Sequence, residues 1–178
     1  MSDETITSLE MTSPNQLVVG RPPSRPLVME ELDPRAAPLL RSTYVRAFEH
    51  LASGGRIDWS AEQWHDELSR PGVTAWVGRV DEEVAGLLEL DVEPDGEVGI
   101  VVFGLVAEFV GRGFGGAFLT LATELAWGMR SPHHLPTRRV WVETSSRDHP
   151  HARPNYERRG FRVFQTRRGH AETPGTKT

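Results

Sequence analysis

The chain has 178 residues, 38% of them hydrophobic and 25% charged, and contains no cysteine. This is the composition of a single globular domain long enough to bury a core. It excludes disulfides, a thiolate nucleophile and cysteine-based metal sites, and no apolar run reaches the roughly 18 residues of a membrane-crossing helix. The acidic opening, Met1 to Glu4, has no apolar core, so no secretory signal is expected and a cytoplasmic protein is the default.

The net charge of −5 conceals an asymmetry. Residues 1–130 carry 10 Lys/Arg against 21 Asp/Glu, net −11, and residues 131–178 carry 10 against 4, net +6. The acidic part suits a cationic amine, and the basic part suits a phosphorylated cofactor or an RNA end. Ordinary solvated surface accounts for many of these charges equally well.

In chain order, residues 1–26 are rich in Ser, Thr, Pro and Arg without an apolar period and read as a mobile tail. Leu27 to Met29 reads as a short strand. Asp33 and Pro34, an N-cap acid followed by a proline, open a helix whose apolar face is Leu39, Leu40, Thr43, Tyr44, Ala47, Phe48 and Leu51, closed by Gly54 and Gly55. Ser60 and Gln63 make a capping box for a second helix. Trp59 and Trp64, beside Asp58, Asp66 and Glu67, read either as the entrance for a cationic or aromatic acceptor or as packing of that helix onto a sheet. Residues 73–80 and 84–92 flank Asp81 to Glu83 as strand, tight turn and strand, and Pro94-Asp95-Gly96 turns the chain into the next strand.

The stretch from Glu97 to Leu119 organises the rest. It reads as a buried strand, a loop with Gly111, Gly113, Gly115 and Gly116, and a helix starting near Arg112 whose buried face is Leu119, Leu121, Ala122, Leu125, Ala126 and Met129. Glycine lets the backbone come close to a ligand, and a helix opening from such a loop aims unpaired N–H groups and a positive dipole end at it, which suits a phosphate or pyrophosphate. The intervals fit neither a dinucleotide fingerprint nor a Walker loop. Tight strand-to-helix packing is the plainer alternative.

Beyond it, His133 and His134 have no third ligand at metal spacing, so no metal site is expected. Arg138 and Arg139 precede a strand over 140–144. Residues 145–161 read as a short helix carrying Tyr156 and ended by a left-handed Gly160, 161–165 as a returning strand, and 167–178 as a flexible tail.

Two of these stretches together resemble the GCN5-related N-acetyltransferase (GNAT) family. Its acyl-CoA loop runs Arg/Gln-x-x-Gly-x-Gly/Ala. Gly113 and Gly115 match it, and Val110 stands where the family has Arg or Gln, leaving one cofactor contact to the backbone alone. Its second motif, Asn-x-x-Ala-x-x-Leu-Tyr-x-x-x-Gly-Phe, is met by Ala152, Tyr156, Gly160 and Phe161, with His149 in place of the Asn and Asn155 in place of the Leu. The resemblance spans residues 27–166. It implies an α/β fold, a mixed and splayed sheet of six or seven strands flanked by about four helices.

It also implies acetyl-CoA or another acyl-CoA as co-substrate, and no metal. The pantetheine arm would lie along Phe103, Gly104 and Leu105, the pyrophosphate on Val110, Gly111, Arg112, Gly113, Gly115 and Gly116, with His149 and Asn155 adding contacts. Strand groups left unpaired at a splay need partners, which an amide-like arm supplies as an added strand would, and a backbone N–H there can polarise the thioester oxygen.

The implied activity is N-acyl transfer to a small-molecule amine by direct attack, with Tyr156 protonating the departing thiolate. Relatives often carry a Glu near the start of the central strand, but position 99 is Gly, so Glu97, Glu89 and His149 are the candidates for the base. Trp59 and Trp64 are the candidates for binding the acceptor. Two other readings stay open. One is a GNAT-like transferase using aminoacyl-tRNA, which suits the C-terminal arginines, and the other is a CoA-binding module without catalysis. Edge-strand pairing is common among such proteins, which keeps a homodimer open.

Overall fold

The computed structural model describes residues 4–51 and 54–169. Its elements are β1 (Thr5–Met11), β2 (Val28–Leu32), α1 (Ala37–Phe48), α2 (Ala61–Leu68), β3 (Val73–Val80), β4 (Glu83–Val92), β5 (Glu97–Leu105), α3 (Gly115–Gly128), β6 (Arg139–Ser145), α4 (Ala152–Arg158) and β7 (Arg162–Arg168). The strands form one seven-stranded sheet in the order β2-β3-β4-β5-β6-β1-β7. β5 and β6 run parallel, and the other neighbours are antiparallel. α1 and α2 bury Leu40, Tyr44 and Trp64 against Val77 and Leu87 of one face. On the other face, Phe118 and Leu119 of α3 and Tyr156 of α4 join Leu88, Ile100 and Val142. This is the mixed α/β sheet with four helices that the two motifs imply. No described helix is long and apolar enough to cross a membrane.

Local chemistry sets most boundaries as the residue pattern suggests. Ser60 and Gln63 cap α2 reciprocally, whereas Asp33, which accepts from the Arg35 N–H, caps a 3-10 turn over Pro34–Ala36, and α1 itself starts at Ala37 with no side-chain cap. Asp81 and Glu82 both take positive φ, +48° and +68°, which gives a two-residue hairpin turn matching the twist of β3 and β4.

Three expectations change. Residues 5–11 are not a tail but β1, an interior strand between β6 and β7 whose Ile6, Leu9 and Met11 are fully buried. Its Thr5, Thr7 and Ser8 hide the apolar alternation, because an interior strand buries both faces and its polar positions find partners across the sheet. Ser8, for example, donates to Glu143 at 3.2 Å. The helix expected from near Arg112 begins at Gly115, since Gly111 and Gly113 hold φ of +75° and +85°, outside the helical region. β7 runs to Arg168, so residues 167 and 168 belong to the sheet. The remainder of the expected C-terminal tail, 170–178, lies outside the described residues.

The feature that positions the site is a bulge. Glu89 pairs with Val102 and Leu90 with Ile100, so Val101 has no opposite number on β4. β5 and β6 pair only over Glu97–Ile100 and 139–142. Beyond the bulge the two strands part.

If β1 is structural, Leu9→Ala lowers the unfolding free energy by about 3 kcal/mol, measured by urea denaturation. A change within about 0.5 kcal/mol, the level of an exposed substitution, would return these residues to the status of a tail.

Candidate active site

The open edge of β5 has a defined polarity. The Val106 N–H bonds the Ala85 carbonyl at 2.9 Å. By the alternation of an antiparallel ladder, Phe103 and Leu105 then direct their N–H and C=O groups away from β4, into the gap left by β6. Gly104 directs its groups to β4, and Phe48 of α1 lies over it on the sheet face. A Cβ there would come within 2.7 Å of the Phe48 ring.

At the end of this edge the chain makes the glycine turn. An added Cβ at Gly111 or Gly113 would meet nothing within 4 Å, whereas one at Gly115 would meet Asn155 at 3.7 Å and one at Gly116 would meet Arg159. α3 follows with no side-chain cap at its N-terminus, and its first internal bond is Phe118 N–H to Phe114 carbonyl. The N–H groups of the preceding residues are left without a helical acceptor, at the positive end of a 14-residue helix. Val110 is exposed. Arg112 lies over Phe109, 5.0 Å from the ring centre, and donates to the Glu108 carbonyl. Asn155 of α4 donates to the Gly115 carbonyl at 3.0 Å, which ties α4 to the first turn of α3.

Tyr156 stands one residue further along α4. It is buried, with its ring 6.2 Å from Phe103 and 6.1 Å from Phe161, and its hydroxyl has no hydrogen-bond partner among the described residues. Burial pushes its pKa well above the ordinary phenol value, and the Asp148 carboxylate adds to the rise. The phenol therefore keeps its proton at any physiological pH. The open edge at Phe103 thus adjoins the phenol, and α4 joins both to the first turn of α3.

Residues 38–161 match the family model described as the acetyltransferase (GNAT) family. The chain belongs to the GNAT family. Solved structures with this fold include a functionally unknown conserved protein from Staphylococcus epidermidis, with 14% identity and a TM-score of 0.63 over 93% of this chain and 60% of that one. A GCN5-related N-acetyltransferase from Kribbella flavida has 15% identity and a TM-score of 0.60 over 93% and 56%. Another, from Sphaerobacter thermophilus, has 17% identity and a TM-score of 0.64 over 92% and 50%. At such identities the likeness speaks to the fold. This GNAT chain spans 50–60% of the length of these three proteins. No curated protein matches the sequence.

The remaining candidates of this GNAT domain fall elsewhere. Glu97 sits at the start of β5, about 20 Å along the strand from Phe103, where it pairs with Arg138 and Arg139 at 3.1 and 3.2 Å. Glu89 is buried, and both its oxygens are taken by Arg56, at 2.7 and 2.9 Å. Burial raises its pKa against the pull of that guanidinium. Trp59 and Trp64 do not frame an entrance. They enclose Arg56, whose guanidinium lies 4.5 and 5.0 Å from their rings, and Trp64 is fully buried. A buried guanidinium needs such partners, and Glu67 at 3.6 Å and the bidentate Glu89 complete the set. His149 is exposed beside His151 and lines a cavity of about 210 Å³ with Thr5, Thr7, Thr144, Asp148 and Arg153. Several arginines of the basic third are already ion-paired, Arg138 and Arg139 as above, Arg153 with Glu157 and Arg167 with Glu143.

Sequence reasoning passed over Asp148 and Arg56. Asp148 accepts from the Thr144 hydroxyl and the Ser145 N–H, both at 2.8 Å. Burial raises the pKa of Tyr44 on α1, and the Asp148 charge adds to that rise as it does for Tyr156. The absence of Glu at position 99 has a steric cause. Gly99 pairs with Trp141, and a Cβ there would come within 2.5 Å of the indole.

Because Glu89 is locked to Arg56, Glu89→Ala is expected to cost about 3–5 kcal/mol of stability by leaving a buried guanidinium unpaired, as read by chemical denaturation. A variant of unchanged stability with reduced turnover would instead make Glu89 a free base.

Proposed function

We propose that this GNAT domain transfers an acyl group, acetyl in the simplest case, from acyl-CoA to the amine of a small molecule. The observation that carries the reading is the unfilled glycine turn at Gly111 and Gly113, continuous with the unpaired edge of β5 at Phe103 and Leu105. The pyrophosphate would take the N–H groups of 111–116. The pantetheine amides would take the strand groups of Phe103 and Leu105, as an extra strand between β5 and β6. That path ends beside the Val101 bulge and the Phe103–Tyr156 ring pair.

In this reading the neutral amine attacks the thioester carbonyl. The new N–C bond forms as the C–S bond breaks, Tyr156 gives its phenolic proton to the sulfur, and the nitrogen loses its surplus proton to solvent or a nearby base. A backbone N–H on the open edge of β5 steadies the carbonyl oxygen as it gains charge. The acidic balance of residues 1–130, which include α1 and α2, favours an amine that arrives as a cation. Trp141 over Gly99, where a carboxylate base is commonly found in relatives, favours one other reading, a domain that binds CoA without turning it over.

Thiol release from acetyl-CoA over an amine panel separates the two. Turnover with at least one amine is expected, and CoA binding without turnover on any would select the silent module. Tyr156→Phe should lower the rate by about 10²-fold or more while CoA affinity holds. Since burial places the phenol's pKa above its ordinary value of about 10, its deprotonation causes no alkaline loss of rate below about pH 10. Wild type and Tyr156→Phe should then keep a constant ratio across that range, and a ratio of one would remove Tyr156 from the chemistry.

A further inference from the structure

Arg159 follows Asn155 by one turn of α4, on the same face. Its guanidinium lies against the first turn of α3. A Cβ at Gly116 would collide with its Nη1, and one at Gly20 would come within 2.6 Å of the same atom, so two glycines make room for it. Its Nε is fully buried without a partner, and among the described residues no carboxylate or carbonyl accepts from any of its nitrogens. A cation beside a helix N-terminus faces the positive end of the dipole and is repelled by it. A buried donor left unpaired adds a further cost. Both penalties vanish once an anion sits at the turn, bonded by the backbone N–H groups on one side and the guanidinium on the other. The motif position that supplies an Arg or Gln to this loop in relatives is Val110, which is exposed and offers no side-chain donor.

We propose that Arg159 is a cofactor-binding residue whose guanidinium bonds the pyrophosphate of acyl-CoA at the first turn of α3, in the place left by Val110. This deepens the acyl-CoA reading and rests on it. Isothermal titration of CoA and dephospho-CoA into the wild type, Arg159→Gln and Arg159→Lys, with a thermal melt of each free protein, tests it. Arg159→Gln is expected to weaken both ligands about tenfold, the scale of one charge-assisted hydrogen bond, and Arg159→Lys to recover part of that loss. Free Arg159→Gln should melt no lower than the wild type, because it removes an uncompensated charge, whereas a structural arginine would melt lower when lost.

Equal affinity of wild type and Arg159→Gln, or a loss confined to CoA and absent for dephospho-CoA, overturns the assignment to the pyrophosphate. A lower melting point with unchanged affinity makes Arg159 a packing residue. A wild type that binds neither ligand overturns the acyl-CoA reading itself, an outcome distinct from these.

Discussion

A strand inside a sheet cannot leave one edge unpaired without cost, and the structure turns on the place where this happens. One extra residue, Val101, lets β5 and β6 run together over four pairs and then separate. Past that point β5 keeps its bonds to β4 but presents Phe103 and Leu105 to a gap. Unpaired backbone groups in such a gap call for water or a ligand with alternating amide donors and acceptors. The same strand runs directly into the glycine turn, so the gap and the anion-seeking end of α3 form one continuous path. Seven strands, with β1 inserted between β6 and β7, hold the two sides of the gap in place.

Two buried networks flank this path and differ in kind. On the α1 and α2 face, Arg56 is bonded to Glu89 and set against Glu67, Trp59 and Trp64, and Arg70 joins Glu67 to Asp91. Every charge there has a partner, which is the mark of a scaffold that fixes the α1–α2 connection onto β4. On the α3 and α4 face, by contrast, among the described residues neither the Tyr156 hydroxyl nor the buried Arg159 Nε has a hydrogen-bond partner. Trp64 Nε1 on the opposite face is also buried without a partner among the described residues, but Tyr156 and Arg159 lie on and just past α4, the helix that Asn155 fastens to the first turn of α3.

Much of the path was legible in the sequence because it depends on local signals. Gly111 and Gly113 need positive φ, Gly160 needs it at +104°, and the spacing of Ala152 and Tyr156 sets one helical face. What could not be read was long-range. β1 looks polar because its partners are some 130 residues away, and Ser8 is satisfied only by the Glu143 side chain of one of them. Trp59 and Trp64 read either as an acceptor entrance or as packing because nothing local announces that Arg56 will be buried between them. Glu97 lies on β5 but about 20 Å along the strand from Phe103, a distance that motif spacing does not carry. Gly99 looks like a missing carboxylate until Trp141 is found lying over it.

The most direct measurement is amide hydrogen exchange by NMR on the free protein and on its complex with CoA. If bare peptide nitrogens hold the donor, protection should rise at Gly113, Gly115, Gly116, Phe103 and Leu105 and change little at Glu97 and Glu89. Saturating CoA that leaves those five amides unchanged, or protects a different part of the sheet, would contradict the role assigned to the turn and to the open edge of β5.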